Sequence, residues 1–116
     1  MVELWISLAN QGFSKYEVSS LGHVLNTISN NILEGHERKD GYIEVHITND
    51  EGYSQKKLVH KLVVDAFIGV NNDSSLTVDH IDRNRSNNVI SNLRLATSTQ
   101  QGLNRQSYTR QTRKIC

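Results

Sequence analysis

The chain has 116 residues, 36% of them hydrophobic and 22% charged, which suits one domain with a modest core and excludes wholesale disorder. No run approaches the ~20 apolar residues that a membrane-spanning helix needs, and the opening MVELWISLAN carries Glu3 without a basic start, so a soluble, intracellular protein lacking a signal peptide is expected. The net charge of +1 hides an asymmetry: residues 1–82 hold six Lys or Arg against all 12 acids, a net of −6, and residues 83–116 hold seven against none, a net of +7. A basic third of this kind suits a polyanion such as nucleic acid, although a solvated tail explains part of it.

In chain order, residues 3–26 carry short apolar groups around turn signals. Tyr16, Val18 and Val24 predict short strands on either side of Ser19-Ser20-Leu21-Gly22. The stretch 42-YIEVHIT-48 alternates, with Ile43, Val45 and Ile47 on one face and Tyr42, Glu44, His46 and Thr48 on the other. The turn 49-NDEG-52 then predicts a hairpin partner in 53-YSQKKLVH-60. Val59, Leu62, Val63, Ala66 and Phe67 fall at helical spacing, so 59-VHKLVVDAFI-68 predicts an amphipathic helix ending near Gly69. After the polar loop 70-VNNDSS-75 come a short strand at Leu76-Thr77-Val78, an Asn-rich loop over 82–92 and a second strand at Leu93, Leu95 and Thr97. Ser98 or Thr99 can cap a last helix through 100-QQGLNRQ-106, followed by a basic, frayed tail over 107–116. The lone Cys116 excludes an internal disulfide and a Cys-based zinc ribbon.

The run 78-VDHIDRNRSNNVISNLRLAT-97 is too polar for a plain core strand. Either Asp79-His80 is a hairpin-end pair with a turn role, or an acid and an imidazole are held there for chemistry. The pattern Asp79, His80, Asp82, Asn84, Asn87, Asn88, then Asn92, Leu93, Arg94 and Thr97 resembles the core of the HNH nucleases, a branch of the ββα-metal (His-Me finger) superfamily. It is most similar to the homing endonucleases of phage and giant-virus kind. Upstream, 59-VHKLVVDAFI-68 resembles the helix preceding that core, and Trp5, 16-YEVSSLGHV-24 and 40-DGYIEVHI-47 resemble a nuclease-associated module. The likeness covers roughly residues 5–105.

The resemblance implies an α+β fold. N-terminal antiparallel β-hairpins and a helix lead into a ββα-metal core, with a DNA-contacting module at 1–58, the nuclease core at 59–106 and a tail at 107–116. It implies a metal-dependent DNA endonuclease in which His80 is the general base and Asp79 ligates a single Mg²⁺ or Mn²⁺. Asn92 matches the Asn that braces the loop, and Asp82 and Asn88 are read as structural support beside it. The family's second ligand, a His or Asn on the last helix, aligns with Gln101; Asn104, one turn on, is the substitute. This departure keeps an alternative open, a weakened or inactive DNA-binding module of the same fold.

Arg83, Arg85, Arg94 and Arg105, with Lys39, Lys56 and Lys57 near the hairpin, are the candidate DNA contacts. His60 is expected to pack or hydrogen-bond, and His23, His36 and His46 to lie on surfaces or strand faces. The expected partner is double-stranded DNA, with neither membrane nor small-molecule cofactor. One ββα unit handles one strand at a time, so a double-strand break would need a dimer or two visits; a monomer or homodimer is expected, either a compact enzyme or a fragment of a longer one.

Overall fold

A computed structural model describes residues 2–69 and 75–97. The predicted helix over 100–106, the tail, and the candidates Gln101, Asn104 and Arg105 lie outside the described residues. Those residues form an α+β fold of three antiparallel sheets around one helix. Strands β1 (Trp5–Leu8), β2 (Phe13–Ser19), β3 (Val24–Asn26) and β4 (Asn31–Leu33) make a four-stranded meander in sequence order. Strands β5 (His36–Glu37), β6 (Ile43–Thr48) and β7 (Ser54–Leu58) make a second sheet. Helix α1 (Val59–Phe67) follows directly, and β8 (Leu76–His80) pairs with β9 (Leu93–Thr97) as a two-stranded hairpin.

The predicted β6 alternation holds. Val45 and Ile47 are buried while His46 between them is exposed. The turn to β7 closes on Asn49, whose side-chain oxygen accepts the N–H groups of Glu51 and Tyr53 at 3.0 and 2.9 Å. Hydrogen bonds tie the first sheet to the second and its turn. Thr48 N–H donates to the Tyr16 hydroxyl oxygen at 3.1 Å, and Asp50 accepts the N–H of Ser14 at 2.9 Å.

Helix α1 starts at the predicted residue but buries more than the predicted stripe. Val59, His60, Leu62, Val63 and Val64 are all buried, whereas Ala66 and Phe67 are only partly covered. The reason is its setting: α1 packs against β1, β2, β6 and β7 on one side and against β8 and β9 on the other. A helix covered from two sides has no free polar face at His60. One apolar cluster runs through Leu8, Phe13, Val18, Val45, Ile47, Leu62, Val63 and Leu93, so both sheets and the hairpin share a core. Each fully buried aliphatic side chain there stabilises the fold by roughly 1.5–3 kcal/mol. Among the described residues, no helix is long and apolar enough to cross a membrane.

Candidate active site

The hairpin β8–β9 sets Asp79 opposite Arg94 and His80 opposite Leu93. Neighbours on a strand point to opposite faces, and the two side chains divide accordingly. His80 turns into the molecule and is 5% exposed. Asp79 lies along the other face, where Arg94 Nε donates to its Oδ2 at 2.9 Å. The strand ends at His80. Beyond it Ile81 N–H donates to the Asn92 carbonyl and Arg83 N–H to the His80 carbonyl, both at 2.8 Å, with Arg83 at φ 64°.

The loop that follows is held by its own short polar side chains. Asp82 accepts the Asn84 N–H at 2.8 Å, the Asn87 amide at 2.8 Å and the Asn92 amide at 2.9 Å. These bonds, the Asn87 amide foremost, hold the Asp82 carboxyl below the usual carboxylate range. Asn92 returns one bond by accepting the Asp82 N–H at 3.0 Å, and it also donates to the Asn87 carbonyl at 3.0 Å. Asn92 thus clamps both ends of the loop. Asn92→Ala is expected to destabilise the fold by about 1–3 kcal/mol, because it removes three side-chain hydrogen bonds that close the loop. A lower urea midpoint at unchanged slope is the expected observation; an unmoved midpoint would remove the clamp from this account.

Inside the loop, His80 Nε2–H donates to Asn88 Oδ1 at 3.0 Å, and both side chains are buried. An amide oxygen only accepts, so this bond places the ring proton on Nε2 and leaves Nδ1 of a neutral ring as the acceptor. Two further rings enclose the imidazole. His60 meets it edge-on with centroids 5.1 Å apart, and Tyr42 lies 5.9 Å from His80 and 4.9 Å from His60. Burial first, then the neighbouring His80 and Lys61, push the His60 pKa down to about 4, so its ring is neutral at physiological pH. Its Nδ1 is buried and has no hydrogen-bond partner among the described residues. Arg85 closes the outer side. Its guanidinium lies 4.9 Å from the Tyr42 ring centroid and donates to the Asp40 carbonyl at 2.7 Å.

His80, Asn88, Asp82 and Asn92 therefore come together, with Asp79 and Arg94 on the adjoining strand face. The candidate DNA contacts disperse. Arg94 pairs with Asp79, Arg85 ties the loop to residues 40–42, and Lys57 sets its ammonium 5.6 Å from the Phe13 ring centroid. Lys39 and Lys56 are exposed. The sequence reading does not single out Tyr42, and it expects His60 to pack or hydrogen-bond without placing it beside His80. One signal was available: His60, Val63, Val64 and Phe67 stand at i, i+3, i+4 and i+7, which puts the histidine on an apolar face.

Among the described residues, no three His, Cys, Asp or Glu converge on a metal position. Asp79 offers a hard oxygen donor of the kind Mg²⁺ or Mn²⁺ takes, and its Oδ2 is paired with Arg94.

Comparison with known proteins finds similarity to HNH endonucleases. Residues 57–103 match the family model described as HNH endonuclease. The chain is 30% identical over 99 residues to an uncharacterized HNH endonuclease of Acanthamoeba polyphaga mimivirus, covering 84% of this chain and 25% of that protein. It also superposes, with a TM-score of 0.72 and 30% identity, on a solved structure of DNA binding and cleavage by the HNH homing endonuclease I-HmuI, covering 97% of this chain and 62% of that one. The chain thus spans a quarter of the curated relative and about three-fifths of the solved one.

Proposed function

We propose that this chain, whose residues 57–103 match the HNH endonuclease family model, hydrolyses phosphodiester bonds in double-stranded DNA with His80 as general base. The observation that carries this reading is the 3.0 Å bond from His80 Nε2–H to Asn88, which leaves Nδ1 to take a proton from water. A buried amide holding the opposite nitrogen fixes both the tautomer and the ring plane before substrate arrives. The enclosing Tyr42 and His60 rings restrict the other directions in which the imidazole could turn. A neutral His60 adds no positive charge that would oppose protonation of His80 during the reaction.

Asp79, with Gln101 or Asn104 as second oxygen donor, would hold a single Mg²⁺ or Mn²⁺, which when bound supplies charge neutralisation at the scissile phosphate and leaving oxygen. Arg94 orients the Asp79 carboxylate through Oδ2. Duplex DNA is held by the basic residues around the loop (Arg83, Arg85 and Arg94), by Arg105 from the segment beyond the described residues, and by the β6–β7 ribbon carrying Lys56 and Lys57, with Lys39 on its approach. A two-stranded ribbon has the width to enter a groove.

The test is a supercoiled plasmid incubated with the full chain and Mg²⁺ or Mn²⁺. Conversion to open-circular or linear product is expected, and none without the ion. Salt-dependent retention of duplex DNA with the plasmid left intact would instead make the chain a DNA-binding module of this fold.

A further inference from the structure

The segment 16-YEVSSLGHV-24 takes no part in the chemistry above, yet its turn touches the group that holds His80. Gly22 lies at φ +86°, and a Cβ built on it would come 2.9 Å from the Asn88 carbonyl oxygen and 3.0 Å from the Asn88 Cβ. Real Cβ atoms do not approach that closely, and the obstruction is largely backbone. The next residues of the loop are tied to the same turn, since Ile90 N–H donates to the Ser20 carbonyl at 2.8 Å.

The turn is itself rigid. Ser19 and Ser20 are buried. Ser19 Oγ accepts the His23 N–H at 3.0 Å and Ser20 Oγ accepts the Leu4 N–H at 3.0 Å. Gly22 N–H closes the turn on the Ser19 carbonyl at 3.0 Å. A braced turn therefore stands against the back of Asn88, whose side chain accepts the His80 Nε2–H.

We propose that the turn Ser19–Gly22 is a positioning device for the His80 imidazole, acting through Asn88, with Gly22 as the positioning residue that lets the two backbones meet. The inference rests on His80 being the base and names what sets its orientation. Its physical basis is absence of a side chain. Only glycine combines the left-handed φ with room for the Asn88 backbone, so any Cβ must displace Asn88 and with it the ring that Asn88 holds. Displacement of a catalytic group by about 1 Å can cost on the order of 10²-fold in rate.

Gly12 is the internal control. It has φ +91° and nothing within 4 Å of an added Cβ. Gly12→Ala and Gly22→Ala thus share the backbone strain and differ in the collision alone. Three properties are measured on the full chain: plasmid nicking at saturating DNA, affinity for duplex DNA, and the ¹⁵N chemical shifts of the His80 ring. Gly22→Ala is expected to lower kcat about 10²-fold with unchanged DNA affinity, and to shift the ring nitrogens away from the Nε2–H form bound to Asn88. Gly12→Ala should leave all three as in the parent.

If Gly22→Ala does not fold, Gly22→Asn replaces it, because Asn tolerates positive φ while still presenting a Cβ. Ring shifts in the Gly22 variant that match those of Gly12→Ala overturn the proposal. If the parent chain nicks nothing, the endonuclease reading fails, and the ring shifts alone still decide whether this turn sets the imidazole.

Discussion

On the proposed reading, His80→Ala is expected to lower DNA nicking about 10²–10⁴-fold, the contribution of a positioned general base. The same change removes a buried ring at 5% exposure and strands the Asn88 Oδ1 that accepted its proton. A stability loss of about 1–3 kcal/mol should therefore accompany the loss of rate, from the unpaired amide alone. The two effects separate experimentally. Nicking is measured well below the variant's melting temperature, with DNA affinity and circular dichroism confirming a folded, binding-competent protein. Under those conditions rate falls and affinity stays. A folded His80→Ala chain that nicks at the parental rate would remove His80 from the mechanism.

Acidification from pH 7 to pH 4.5 is expected to destabilise the fold through His60, by roughly 2–3 kcal/mol. The folded chain holds this imidazole at a pKa of about 4, against 6.5 for the free side chain. Below pH 6.5 the unfolded chain takes up a proton that the folded chain refuses, so the equilibrium shifts toward unfolding at up to about 1.4 kcal/mol per pH unit. Above pH 6.5 neither state is protonated at this position and the term vanishes; below pH 4 both are, and the loss stops growing. His60→Phe keeps a flat ring beside Tyr42 and does not titrate. Urea midpoints of parent and variant at pH 7 and 4.5 decide the matter. The variant should lose less stability over this interval than the parent, and equal losses would assign the acid sensitivity to other groups.

Much of this was legible in the sequence because it is local. The alternation of Ile43, Val45 and Ile47 declares a half-buried strand, and the spacing of Val59, Leu62 and Val63 declares a helix. The loop clamp is local too. Asp82, Asn84, Asn87 and Asn92 lie within eleven positions of one another, and short amide and carboxylate side chains at that range bond to each other and to nearby backbone. The short strands β4 and β5 were not legible. Three and two residues carry no period to read.

What the sequence by itself determined is the identity of the chemical groups and their local bracing: Asp79-His80 at a strand end, the Asn-rich loop behind them, and the resemblance they carry. Tertiary structure alone decided what surrounds the imidazole. His60 from α1 and Tyr42 from the approach to β6 meet His80 because the helix is packed between the sheets and the β8–β9 hairpin. Arg85 reaches the Asp40 carbonyl 45 residues away, and Gly22 meets Asn88 across two sheets. The physical reason is the same in each case. Periodicity reports which face of an element is apolar, whereas contacts between elements follow from how those faces close on one another, and no local pattern encodes that closure.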